Sequence, residues 1–280
     1  MESDLTNQSE IKVAVNSVTF RALEPELVIT CLVESGVNAI EWSGDTHAPP
    51  GDLERAAKLR KLCDSKNIRI FSYGSYFQSD EQGAGKGPFS RATNCDEVVQ
   101  TANALGAKSI RVWAGRMASV EASDGYRKEV RTCLQQICDH TSVHGMDVHL
   151  EFHRNTLADS VESTVALLDA VDRKNLFSYW QPRHRASESE GVAEIQALGK
   201  SLSHVHVFNW VYHGDLMTRE PLSAARSLWV SYLIAASRIQ RHRYAIIEFV
   251  PDDTLEQFKD DILSLREIIN EASPFGQCTV

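Results

Sequence analysis

The sequence has little that would tie it to a membrane, a secretion route or a nucleic acid. No apolar run among its 280 residues approaches the roughly 18 that a membrane-spanning helix needs, so no membrane partner is expected. The first ten residues, MESDLTNQSE, hold no basic stretch and no apolar core. A secretory leader is therefore not expected, and a cytoplasmic location is. Basic residues are in deficit, 29 Lys and Arg against 38 Asp and Glu, which leaves a formal net charge of −9. That is the wrong sign for a nucleic-acid partner, whose affinity rests largely on phosphate neutralisation. The six cysteines (Cys31, Cys63, Cys95, Cys133, Cys138 and Cys278) form no CxxC pair and no zinc-knuckle spacing. Cys31, Cys63, Cys133 and Cys138 fall on expected apolar helix faces and read as small buried hydrophobes in a reducing compartment. The one glycine-rich stretch, Gly83–Gly87 (GAGKG), lacks the GxxxxGK[ST] spacing of a phosphate-binding loop. It reads as a loop over the mouth of the fold, with a phosphate-contacting lid through Lys86 as the alternative.

What the sequence does hold is alternation. Apolar β-type runs are expected at Ile11–Val18, Val37–Trp42, Ile68–Tyr73, Ser109–Trp113, Asp147–Phe152, Leu176–Trp180, Ser203–Phe208 and Tyr244–Val250. Amphipathic helical runs follow them at Pro25–Glu34, Leu53–Ser65, Asn94–Leu105, Tyr126–His144, Ser160–Val171, Glu188–Leu198, Ala224–Ile239 and Leu255–Ala272. Pro25 near the start of the first helix and Gly36 just past its end are ordinary punctuation. Eight strand–helix units of about 35 residues suit a single-domain (β/α)8 TIM barrel, which typically takes about 250 residues. An open doubly wound sheet would carry a glycine-rich first turn, and here that turn reads NSVTFRALE. The expected organisation is a polar N-terminal arm over 1–10, a barrel over 11–272 and a tail over 273–280.

In a barrel of this kind the chemistry sits at the C-terminal ends of the strands, and side chains alternate inward and outward. On the fifth strand Asp147, His149, Glu151 and His153 share the inward parity. On the seventh His204 and His206 do. Gln181 closes the sixth strand with His184 just beyond, and Glu41 closes the second. On the eighth, Glu248 points in and Ala245, Ile247 and Phe249 point out. Glu151, Gln181, His206 and Glu248 thus come from four neighbouring strand ends. Two carboxylates, an imidazole and a carbonyl oxygen make a fair octahedral set for Mg²⁺ or Mn²⁺, and could accept Zn²⁺ or Co²⁺. Each of these residues alone would read as a paired structural group; their convergence favours a metal. His149 and His204, one step deeper, read as core or supporting histidines. His153 and His184 at the mouth are candidates for substrate contact, as is Glu41 for a substrate hydroxyl. Trp42, Tyr73, Trp113 and Trp210 close four strands, where they could cap the core or stack on a sugar ring. Arg111 points inward and needs a carboxylate partner, for which Glu41 or Glu151 would serve.

The segments GVNAIEW, NALGAKSIRVWAG, HLEFH, WQPRH, HVHVF and AIIEFV resemble the sugar phosphate isomerase/epimerase group of xylose isomerase-like TIM barrels, over roughly Ile11 to Ala272. The resemblance to ketose 3-epimerases of this group implies a divalent metal held by Glu151, by the position of Gln181, by His206 and by Glu248. It implies that Glu151 and Glu248 are also the catalytic acid/base pair, and that His184 touches substrate. Two departures stand out: Gln181 replaces the group's Asp, and Leu157 occupies the place of an additional substrate-binding glutamate.

The expected activity is divalent-metal-dependent isomerisation or epimerisation of a sugar, keto-sugar or sugar phosphate by proton transfer beside a carbonyl. In it Glu151 removes the proton and Glu248 returns it, while His184, Glu41, Trp113, His153, Arg111 and Tyr73 bind substrate. The alternatives are a metal-dependent lyase or dehydratase of a keto-polyol or keto-glycoside, and a non-catalytic sugar-binding barrel. An endonuclease-IV-like DNA hydrolase is disfavoured, because its three-metal site resembles one needing extra histidines where Trp42, Tyr73 and Trp113 stand. The expected partner is a small carbohydrate; the resemblance also implies that a homo-oligomer is compatible with the fold.

Overall fold

A computed structural model describes residues 10–80 and 95–273. The Gly83–Gly87 stretch, Asn94, Cys278 and nearly all of the expected arm and tail lie outside the described residues. Eight parallel strands close into a barrel: β1 (Ile11–Asn16), β2 (Ala39–Ser43), β3 (Arg69–Gln78), β4 (Ser109–Trp113), β5 (Asp147–Leu150), β6 (Leu176–Trp180), β7 (Leu202–Val207) and, as the eighth stave, β10 (Arg243–Ile247). Each pairs with its neighbours in chain order, and β10 closes the ring on β1. The strands are joined by α1 (Pro25–Glu34), α2 (Leu53–Ser65), α3 (Cys95–Leu105), α4 (Asp124–Ser142), α5 (Val161–Val171), α6 (Glu188–Leu198) and α7 (Arg226–Ser237), with α8 (Leu255–Ala272) last. The chain folds as the expected (β/α)8 barrel.

Local chemistry sets the helix starts. Ser123, Ser160 and Thr254 each accept a backbone N–H of the turn they open, and Ser187 forms a reciprocal capping box with Glu190. The strands then sort their side chains by parity. Val148, Leu150, Val205, Val207, Ala245 and Ile247 are buried outside the barrel against the helices. Ala14, Ala39, Phe71, Tyr179 and Ile246 form a smaller separate cluster, which Tyr244 joins from its edge. Cys31, Cys63 and Cys138 are buried and unbridged, as read from the sequence. Among the described residues no helix is long and apolar enough to cross a membrane.

Four departures from the sequence reading shape the mouth of the barrel. The first strand stops at Asn16, because the Asn16 side chain accepts the Val18 N–H and starts a 3-10 turn over Ser17–Phe20. β3 runs on to Gln78, and its register against β4 shifts between Gly74 and Phe77. A two-stranded antiparallel hairpin, β8 (Trp210–His213) and β9 (Leu216–Arg219), rises beyond β7 where no strand was expected. Phe249, expected to pack outward, follows the end of β10 with φ 62° and lines the mouth instead.

Candidate active site

Four neighbouring staves deliver the expected donors to one place. His206 Nδ1 lies 2.9 Å from Gln181 Oε1, 3.3 Å from Glu248 Oε2 and 4.0 Å from Glu151 Oε1. His206 is fully buried, and Glu151 and Glu248 are nearly so. Strand parity alone predicts this convergence.

Beneath the donors runs a charged network. Arg111 is 1% exposed and Glu41 0%. The Arg111 Nε donates to Glu41 Oε1 at 2.9 Å, and its Nη1 donates to Glu151 Oε2. Both carboxylates proposed as its partner are thus engaged at once. The other oxygen of Glu41 accepts from Tyr179 Oη at 2.8 Å. Asn16 Nδ2 bridges Glu41 Oε1 at 3.0 Å and Glu248 Oε1 at 2.8 Å. Glu41 and Arg111, expected from the sequence to bind substrate, pair with each other and are not among the residues that line the mouth cavity. Gly74 permits the arrangement, since a Cβ there would stand 2.6 Å from Arg111 Nη2 and 3.0 Å from Glu41 Oε1.

The two donor carboxylates differ in environment. Burial pushes Glu151 up, but Arg111 first, then His153, His206 and the hydrogen bond from Trp113 Nε1, outweigh it and hold the group below the usual carboxylate range. Burial, reinforced by the negative charge of Glu151, pushes Glu248 well above that range despite Arg111. Burial likewise holds His206 down at about 4.

Above the donors opens a cavity of about 640 Å³. Tyr76, Trp113, Phe208, Trp210, Tyr212 and Phe249 wall it. His153 stacks on Trp113 at 4.7 Å and 16°, and its Nδ1 donates to Arg154 O at 2.7 Å, which leaves Nε2 as an acceptor. His184 is held by the Tyr212 hydroxyl. Of the three arginines at the mouth, Arg21 pairs with Asp45 and Arg183 with Glu194, whereas Arg154 has no ion pair among the described residues. Three non-glycine residues with positive φ, Tyr76, Asn155 and Phe249, all line this cavity. Such strain gathers where structure serves function.

Tyr73, expected to bind substrate, is not among the residues that line the cavity. It is fully buried on the outer side of the barrel, and its hydroxyl donates to Ala48 O at 2.8 Å. Trp42 caps the core in the same way, donating to Cys63 Sγ. The aromatic that β3 sends to the mouth is Tyr76, within the register shift. Asn16, Tyr76 and Tyr212 were missed by the sequence reading; Asn16 carried a signal as an inward residue ending β1, and Tyr212 lies on the unexpected hairpin.

The donor set fits a divalent cation. Three oxygens face one ring nitrogen, and the single His206 Nδ1 proton satisfies only Gln181. A doubly charged ion in its place would meet all four donors and offset the two carboxylates. Among the described residues, no group of three or more His, Cys, Asp and Glu side chains is by itself placed to hold a metal ion.

The profile of the xylose isomerase-like TIM barrel family matches residues 30–266. A 3-dehydroshikimate dehydratase of Bacillus anthracis is 32% identical over 191 residues. That match spans 65% of this chain and 65% of the relative, just under two thirds of its length. The crystal structure of the probable 3-DHS dehydratase involved in petrobactin synthesis from Bacillus anthracis superposes with a TM-score of 0.71 at 21% identity, over 91% of this chain and 99% of that one. A D-allulose 3-epimerase from Methylomonas sp. superposes with a TM-score of 0.68 at 16% identity, over 95% and 99%.

Proposed function

The chain belongs to the family of xylose isomerase-like TIM barrels, and within it we propose that it is a divalent-metal-dependent dehydratase acting on a cyclic hydroxy-keto carboxylate of the 3-dehydroshikimate type. One observation carries this reading. The cavity above the four donors has aromatic walls and one arginine, Arg154, that makes no ion pair among the described residues. A flat, ring-shaped anion suits such a cavity better than a neutral, fully hydroxylated sugar. The 32% identical dehydratase supports the same choice.

Glu151, Gln181, His206 and Glu248 would hold the ion. When bound, it would polarise a substrate carbonyl and make the neighbouring C–H more acidic. Glu151, expected from the sequence to remove the proton, is assigned to holding the metal, because Arg111 and Trp113 both occupy its Oε2 and only Oε1 faces His206. The base is His153 Nε2, free because Nδ1 is spent on Arg154 O. It takes the proton beside the ketone; the electron pair left on carbon forms the new double bond as the β-hydroxyl departs. His153, now protonated at Nε2, returns that proton to the departing hydroxyl, so one water leaves per turnover and the base is restored.

A second reading is 3-epimerisation, favoured by the two glutamates that both approach His206 Nδ1. Against it, Leu157, at the place of the extra substrate glutamate, is 1% exposed in the core. The test is to incubate the Mn²⁺- or Mg²⁺-loaded protein with 3-dehydroshikimate and, separately, with a ketose panel in D₂O. The proposal expects rising ultraviolet absorbance as the ring becomes aromatic, and no exchange into ketoses. Ketose exchange without dehydration would overturn it in favour of the second reading.

A further inference from the structure

The opposite, N-terminal end of the barrel holds a second cavity, of about 420 Å³. In this fold that end ordinarily serves stability and not chemistry. Five cations line it (Lys12, Arg69, Lys108, Arg241 and Arg243) against two carboxylates, Glu10 and Asp147. On a chain of net charge −9 this is a marked local reversal. Three of the five cations are engaged. Lys12 pairs with Glu10 at 2.9 Å, Arg241 lies 3.5 Å from Asp147, and Arg243 donates to the backbone oxygens of Ala236 and Ile239. Arg69 and Lys108 are exposed and make no ion pair among the described residues.

The inner wall supplies an independent sign of a ligand. His149 lines this cavity, is 2% exposed, and neither of its ring nitrogens has a hydrogen-bond partner. A buried polar group left without a partner is costly, and native structures rarely keep one without a ligand or water to meet it. The rings around it are aromatic: His204 at 5.2 Å, with Phe71 and Tyr244 each 5.3 Å from His204.

We propose that this basal cavity binds a phosphate dianion, free or as a monoester, held between Arg69, Lys108 and the inward-facing His149. Two unpaired cations balance a dianion. An imidazole N–H donates to a phosphate oxygen, and the other ring nitrogen accepts from the Lys108 ammonium or, for the free hydrogen phosphate ion, from its P–OH. The Phe71 and Tyr244 rings give a monoester a surface for its organic part. The site is separate from the catalytic mouth, though β5 and β7 reach both: His149 lies two residues below Glu151, and His204 two below His206.

The test is isothermal calorimetry of the full chain with inorganic phosphate and with phenyl phosphate, in chloride at matched ionic strength. One anion per chain is expected to bind with a dissociation constant of roughly millimolar or tighter. Affinity is expected to fall at least tenfold in the Arg69→Ala/Lys108→Ala double variant, whose replaced side chains are exposed and unpaired. It is expected to be unchanged in Arg154→Ala, whose exposed side chain lines the mouth cavity and not the basal one. Binding of either probe supports the site, and their ratio tells free ion from ester. No binding up to about 10 mM, affinity retained in the double variant, or binding lost in Arg154→Ala would each overturn the proposal.

Discussion

Replacing Arg111 with methionine removes the single cation that two buried carboxylates share. Glu41 and Glu151 are 0% and 5% exposed, and Arg111 itself is 1% exposed, so bulk water screens none of the three. Deleting one partner of a buried ion pair typically costs about 3–5 kcal/mol, because the remaining charge is stranded without solvent. Here two charges lose their counter-ion. Glu41 keeps the Asn16 and Tyr179 hydrogen bonds, and Glu151 keeps the one from Trp113, which limits the loss. Arg111→Met is therefore expected to lower unfolding stability of the metal-free protein by about 3–5 kcal/mol at pH 7, read from urea denaturation. Two recoveries distinguish this cause from simple loss of packing. Adding Glu41→Gln to the variant should regain at least about 1 kcal/mol, since one stranded charge is gone. Adding Mn²⁺ should raise the variant's stability by more than it raises the parent's, since Glu151 would again have a cation beside it. A loss below about 1 kcal/mol, with neither recovery, would refute the assignment of Arg111 as the shared counter-ion.

The remaining predictions concern the donors, the base and the lower end of the barrel. Gln181→Asp adds a negative charge next to the expected ion and should tighten Mn²⁺ binding by roughly tenfold or more in a calorimetric titration. His153→Asn should reduce turnover of the dehydration by about 10²–10⁴ while leaving metal affinity within about twofold, a split that a structural role would not give. Burial holds the His149 imidazole down at about 3, and in the unfolded chain it titrates near 6.5. The unfolded state therefore binds the extra proton between those values, and stability is lost as pH falls from 6.5 toward 3, by up to about 1.4 kcal/mol per pH unit. The slope of stability against pH in that window, from urea midpoints, should be shallower in His149→Asn than in the parent.

Much of the site was legible because a parallel barrel enforces a period of two along each stave. That period placed His206, Glu151 and Glu248 on one face, and Ala245 and Ile247 on the other, without any knowledge of the turns between them. It failed where the backbone leaves the period. The register shift between Gly74 and Phe77 carries β3 past Tyr73 and makes Tyr76 its contribution to the mouth. The positive φ of Phe249 turns its ring into the cavity after β10 has ended. Parity also gives direction and not depth. Glu41 and Arg111 do point inward, but each is bound by the other and does not line the cavity. The β8–β9 hairpin left a signal that was not used. Gly214 and Asp215 form a two-residue turn between Trp210–His213 and Leu216–Arg219, a spacing typical of tight hairpins. Nothing in the sequence told the two unpartnered nitrogens of His149 from those of any other core histidine; only the cavity around them does.

The claim on which the account turns is that Glu151, Gln181, His206 and Glu248 form one divalent-cation site at the floor of the mouth. Electron paramagnetic resonance of Mn²⁺ titrated into the metal-stripped chain tests it most directly, because protein-bound ion loses the six-line signal of free Mn²⁺. One ion bound per chain, displaced by Mg²⁺ and lost in both His206→Ala and Glu248→Gln, is the predicted result. Binding that survives both substitutions, or a signal that stays that of free Mn²⁺ throughout, would contradict it.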